Sequence, residues 1–199
     1  MIHVDEQPEP QSFDAEVRSK GVAWLRKNRI ALDRALPKGA TLKPFWRSCL
    51  DDLHVSYNHY CAYLAISIER VTGGGSVDHF IAKSKRVDLA YEWSNYRLAC
   101  SLMNSRKRDY EDVLDPFEVE NGWFRLELVS GRIYPDPGLP VERKETVRAT
   151  IDRLGLDDAQ CRATRASHFQ EYLELLYPEA YLRKRSPFVW HEASRQGLL

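Results

Sequence analysis

No stretch of this 199-residue chain approaches the ~20 consecutive apolar residues that span a bilayer, so no membrane-crossing helix is expected. The opening MIHVDEQPEP is acidic and proline-bearing, without the basic-then-apolar order of a secretory signal, and the cytoplasm is the expected location. Cysteine is scarce: Cys49, Cys61, Cys100 and Cys161 form no CxxC pair, which argues against a disulfide framework. Net charge is missing as well. The 29 basic side chains match 29 acidic ones, which excludes a protein that coats nucleic acid by charge alone. Nor is there a Walker-type loop, because no helix start with Lys and Ser follows Gly73, Gly74 and Gly75. Those three glycines read as a flexible turn. With 43% hydrophobic and 29% charged residues the composition is globular, with length for one sizeable core or a small domain with helical additions.

What the chain does contain is concentrated in residues 76–107, SVDHFIAKSKRVDLAYEWSNYRLACSLMNSRK. Asp78 supplies a carboxylate suited to a divalent cation, His79 a side chain able to take a proton from water, and Asn104 a second oxygen ligand from a following helix. These are the parts needed to hydrolyse a phosphodiester. From Lys83 to Arg108 there are seven basic residues against two acidic ones, and from Asp109 to Glu120 six acidic residues and no basic one. A basic block on the motif suits a phosphate site, while a solvated helix face explains it nearly as well. Each residue also has a bland reading. Asp-His pairs arise by chance, Trp93 and Tyr96 suit hairpin packing, and Arg106 and Lys107 favour any helix C-terminus through the macrodipole.

The ordered set VDHFIAKS, WSNYRLAC and MNSRK resembles the core of the HNH endonuclease family, with Asn95 16 residues after His79 and Asn104 9 residues after Asn95. The wording is similar to nuclease subunits of Septu-type anti-phage systems, in which an HNH protein works beside an ATPase. The motif covers about a quarter of the chain. The resemblance implies a strand, strand, helix unit of the ββα-metal type. It implies that Asp78 and Asn104 hold one divalent ion, Mg2+ first and Mn2+ second, that His79 is the general base, and that Asn95 ties the loop and orients His79. Lys83, Lys85, Arg97, Arg106 and Lys107 are candidates for contacts to nucleic acid, DNA first, and an ATPase subunit is the expected partner. Many relatives carry two CxxC pairs around a structural zinc. Here those positions read Cys61-Ala-Tyr-Leu64 and Cys100-Ser-Leu-Met103, two ligands short, so no zinc is expected and the two cysteines read as small buried hydrophobes. Ala82 stands where relatives often have Pro, which predicts a less rigid loop.

The expected fold class is α+β: a ββα-metal HNH core with N-terminal and C-terminal helical extensions and a small β-hairpin. The expected divisions are residues 1–56, 57–110 and 111–199. Phe13, Val17, Trp24 and Leu25 predict an amphipathic helix over 12–29, weakened by Gly21. A short helix follows at 30–36, and another opens at Pro44 with Phe45, Cys49 and Leu53 on one face. Residues 57–71 suit strand or helix. Strands are predicted at 76–80 and 93–98 around a loop, then a helix at 99–108. Beyond these lie a hairpin (123–129 with 132–134), a helix at 141–154 stopped by Gly155, and a longer helix capped by Asp157 and reaching Tyr177, with Phe169, Leu173, Leu176 and Tyr177 as its stripe. Arg183-Lys184-Arg185 could touch DNA, but three charges near a helix end are more often just solvated. Two alternatives to a nuclease stand: a catalytically inactive HNH-derived module that binds nucleic acid or a partner, and a small metal-binding structural domain.

Overall fold

The computed structural model describes residues 1–72 and 74–199, so the turn expected at Gly73 lies outside the described residues. The chain is α+β: among the described residues there are seven α-helices and two separate two-stranded antiparallel sheets. No helix among them is long and apolar enough to cross a membrane. The contacts divide the chain into two compact units, Glu6–His59 with Ile68–Glu111, and Met1–Asp5 with Tyr60–Ser67 and Asp112–Leu199.

In the first unit a π-helical turn, Asp14–Arg18, leads into α1 (Ser19–Lys27). Phe13, Val17 and Leu25 enter the core from it, each worth about 1.5–3 kcal/mol on full burial. Gly21 belongs to this packing. A Cβ there would stand 2.3 Å from ring atoms of Tyr91, so the glycine that weakens the helix is what lets the ring lie against it. The helix expected at 30–36 does not form. Residues 31–35 are exposed and bury no apolar face to support a nucleus, Pro37 disfavours helical backbone at Leu36, and the Leu36 N–H is donated to Ser84 O at 2.8 Å. After Pro44, a 3₁₀ turn Phe45–Cys49 runs into α2 (Leu50–Ser56), which buries Cys49 and Leu53.

Strand β1 (Gly75–His79) pairs antiparallel with β2 (Tyr96–Cys100), Asp78 opposite Arg97 and His79 opposite Tyr96. The strand expected at 93–98 therefore starts later, because Trp93–Asn95 forms a 3₁₀ turn. Helix α3 (Ser101–Lys107) follows β2 directly and ends at Arg108, whose φ of 50° leaves the helical region. The stretch 57–71 takes neither form offered for it: within it, Tyr60 and Ser67 of the second unit make one isolated bridge.

In the second unit β3 (Phe124–Glu127) pairs with β4 (Arg132–Pro135). Helix α4 (Val141–Leu154) buries Val147, Ile151 and Leu154 and stops at Gly155, whose φ of 57° is the left-handed C-terminal turn. Helix α5 (Ala159–Leu173) differs from expectation at both ends. Its cap is Asp158, which accepts the Cys161 N–H at 2.7 Å, while Asp157 accepts the Ile133 N–H at 2.9 Å. It stops at Leu173, with Leu175 at φ 58°, and of the expected stripe Phe169 is buried while Leu173 and Leu176 face solvent. Helices α6 (Glu179–Arg185) and α7 (Pro187–Arg195) complete the unit, and Arg185 pairs with Glu171.

Candidate active site at the end of the first hairpin

The site is built where β1 ends. The Phe80 N–H donates to Asn95 O at 2.9 Å, one step beyond the last strand pair. The chain then leaves the sheet as a loop, and the buried Asn95 side chain closes it. Asn95 Oδ1 accepts the Ile81 N–H at 2.8 Å, and Nδ2 donates to Ile81 O at 2.9 Å and Leu89 O at 3.1 Å. One amide thus satisfies both ends of a segment with no ladder partners. The neighbouring carbonyl, Ala90 O, accepts from His79 Nε2 at 3.0 Å and from the Tyr96 hydroxyl at 2.8 Å.

The Ala90 carbonyl can only accept, so His79 Nε2 carries the proton and the neutral ring keeps its lone pair on Nδ1. The ring is held edge-on by Trp46, centroids 4.8 Å apart, and by Tyr96 at 5.0 Å. Burial pushes the His79 pKa down to about 3, with Lys83 and Lys107 acting in the same direction and the Ala90 bond opposing them. The imidazole is therefore neutral at ordinary pH.

Asp78 and His79 open with Asn104 onto one cavity of about 440 Å³, which Trp46, Lys83 and Arg108 also line. Asn104 reaches it from α3, where its Nδ2 donates to Ser76 Oγ at 3.1 Å and Val77 O at 3.3 Å. With the amide nitrogen turned to the strand, Oδ1 is the Asn104 atom suited to a cation. One carboxylate and one amide oxygen fit Mg2+, which takes one or two protein oxygens and leaves its other positions to water and phosphate. Among the described residues no group of three or more His, Cys, Asp or Glu side chains is placed to share an ion.

The five basic candidates separate. Lys83 lines the cavity, half-buried, its Nζ 5.2 Å from the Trp46 ring centroid, and burial lowers its pKa against the opposing pull of Asp78. Lys85 is exposed and pairs with Glu111 at 3.0 Å, and Arg106 lies half-buried on α3. Arg97 and Lys107 do not sit where phosphate contacts require. Arg97 Nη1 donates to Ser94 O at 2.7 Å and Tyr96 O at 3.0 Å inside the core. Lys107 is 0% exposed, and its ammonium donates to His79 O at 3.1 Å and Phe80 O at 2.7 Å and lies 3.5 Å from Asp78 Oδ2. Both act as internal braces of the β1 end. Sequence reasoning missed Trp46, Tyr96 and Ala90 as supports of His79. The first comes from a distant helix, and the last acts through its carbonyl, which residue identity does not signal.

All four cysteines are thiols. Cys61 is buried in the second unit and its N–H donates to Ile66 O at 3.0 Å, while Cys100 ends β2, half-buried. Ala82, buried, accepts from the backbone of Lys85 and Arg86 and gives the loop a turn in place of proline. In comparison with known proteins, no family model matches the chain and no curated sequence matches it, so the reading of this site rests on its own geometry.

Proposed function

We propose that the protein is a metal-dependent endonuclease of the HNH, ββα-metal type that hydrolyses phosphodiester bonds, DNA first. The observation that carries this reading is the His79 ring. It is fixed by Ala90, Trp46 and Tyr96 in the tautomer that keeps Nδ1 basic, on a cavity it shares with Asp78 and Asn104. A general base needs that lone pair, a fixed ring and room for water and a phosphate beside it.

In this reading Asp78 and Asn104 hold the cation, which supplies charge stabilisation for the phosphate and the departing 3′ oxygen when bound. His79 Nδ1 accepts a proton from the attacking water. Burial and the two nearby cations keep the ring neutral, so the Nδ1 lone pair is available for that proton. Asn95 and Lys107 orient these groups without touching substrate. Lys83 is the cation at hand for a phosphate oxygen. The neutral net charge and the likeness to Septu-type subunits support an ATPase partner that recruits the substrate in anti-phage defence.

Mg2+-dependent nicking of plasmid DNA tests the assignment in the native assembly recovered from cells. His79→Ala is expected to lower the rate at least about a hundredfold while circular dichroism stays unchanged. Equal cutting by wild type and His79→Ala refutes it, and binding of DNA with no cutting by either would favour the inactive-module reading.

A further inference from the structure

A second cavity opens one residue beyond the catalytic dipeptide. It measures about 470 Å³ and is lined by Phe80, Ile81, Lys85, Arg86, Tyr110 and Glu111. Phe80 follows His79 directly, so the segment that ends at the candidate site also forms one wall of this cavity.

The walls have the chemistry of a nucleotide site. The Phe80 ring is fixed, with Arg97 Cζ and Lys107 Nζ each 5.2 Å from its centroid, and both cations are buried and bonded to backbone carbonyls. Tyr110 brings a second aromatic ring, and its backbone N–H is tied to Lys107 O at 3.1 Å, the end of α3. Among the described residues the Lys85 and Arg86 heads are held by surface acids, Lys85 by Glu111 at 3.0 Å and Arg86 by Asp88 at 2.6 Å. Exposed pairs of this kind are worth little, so a phosphate displaces them at small cost. Once Lys85 turns away, the Glu111 carboxylate can accept from the exocyclic amine of a base. Flat, apolar on its faces, amine-bearing at its edge and anionic alongside describes one ligand class.

We propose that this cavity is a subsite for one unstacked nucleobase, with Phe80 and Tyr110 as its aromatic walls and Lys85 and Arg86 meeting the adjoining phosphate. The inference rests on the nuclease reading for its class of ligand. A base inside a duplex is stacked on both faces and cannot enter, so the subsite favours single-stranded, bulged or frayed nucleic acid.

The test is binding without chemistry. Full-length protein in EDTA is titrated into a tetranucleotide of abasic residues that carries a single 2-aminopurine, followed by fluorescence and by anisotropy. The expected result is quenching on binding, with Tyr110→Ala weakening affinity roughly tenfold and removing the quench while Tyr110→Phe keeps both. Replacing the 2-aminopurine with a fourth abasic residue costs the wild type a similar factor and costs Tyr110→Ala nothing further. Absence of quenching, or equal affinity of wild type and Tyr110→Ala, overturns the subsite. Tyr110 is exposed, so its truncation leaves the fold intact. The two readings fail separately: His79-independent cutting removes the nuclease assignment and leaves the fluorescence result standing, whereas His79-dependent cutting without quenching removes only the subsite.

Discussion

Truncating Asn95 is the sharpest probe of how the site is held, because one side chain carries three hydrogen bonds that tie both ends of the loop. In Asn95→Ala the Ile81 N–H and the Ile81 carbonyl lose this partner together, while the Leu89 carbonyl keeps the Glu92 N–H at 3.4 Å. Each such bond is worth about 1 kcal/mol net, and an unsatisfied buried group costs about 1–3 kcal/mol. Ile81 and Leu89 are half-buried, so water recovers part of the loss and the expected destabilisation is about 2–3 kcal/mol. Asn95→Asp separates the terms. It keeps an acceptor for Ile81 N–H but sets a carboxylate against two carbonyls, and is expected to be at least as unstable as Asn95→Ala. Urea unfolding followed by tryptophan fluorescence reads the loss, since Trp46 and Trp93 belong to this unit. Hydrogen exchange of the Ile81 amide locates it: protection should fall there and at Phe80 before the β1–β2 ladder is affected. The Ala90 carbonyl that fixes His79 rides on the same loop, so the imidazole Nε2–H should exchange faster too. An Asn95→Ala protein within about 0.5 kcal/mol of wild type, with the Ile81 amide still protected, would refute the claim that this side chain closes the loop.

Gly21→Ala should destabilise despite the better helix propensity of alanine, by about 1–3 kcal/mol from overpacking against the Tyr91 ring, and a thermal melt showing stabilisation would contradict the close approach. In the second unit His168 is buried against Ser186, and burial, with Arg185 adding to it and Glu171 opposing, lowers its pKa from the ordinary 6.5 to about 4. The folded state thus binds fewer protons than the unfolded state between those values. Stability is full above about pH 6.5 and falls by about 3 kcal/mol as pH drops towards 4. His168→Gln should flatten that slope in unfolding titrations, and an unchanged slope would show that the histidine does not carry it.

The parts of this fold that are legible in the sequence are those whose signals are local. The β1–β2 hairpin and α3 follow each other within about thirty residues, so the order of Asp78, His79, Asn95 and Asn104 already anticipates which side chains meet. Helix α4 carries its own period in Val147, Ile151 and Leu154 and its own stop in Gly155. Where the reading failed, a tertiary demand outweighed a local one. Residues 30–36 have helical composition but no face to bury, and the Leu36 N–H is taken by Ser84 from across the unit. Asp157 and Asp158 are equivalent as caps on paper, and the choice between them falls to β4, which claims Asp157 through Ile133. Trp46 and Ala90 could not have been read as parts of the site, since one comes from a distant helix and the other acts through its carbonyl.

The basic block shows how misleading charge can be when read along the chain alone. Its seven cations suggest a phosphate-binding strip, yet two are consumed in building the site: Lys107 and Arg97 lie inside, bonded to four backbone carbonyls between them. Burying an ammonium or guanidinium is tolerable only with such partners, and Lys107 gains a further one in Asp78, whose carboxylate it steadies at 3.5 Å. Lys85 and Arg86 meet acids at the surface, which leaves Lys83 and Arg108 as the cations that line the Asp78–His79 cavity. Each phosphate contact contributes about one power of salt dependence, so on the proposed reading so small a set of contacts would give a weak, shallow grip on DNA. On the proposed nuclease reading the Asp78–His79 cavity holds one phosphate, and Lys85 and Arg86 reach a second only by leaving their surface acids. On the same reading the proposed partner subunit would supply most of the affinity for nucleic acid, because few cations are left to do so.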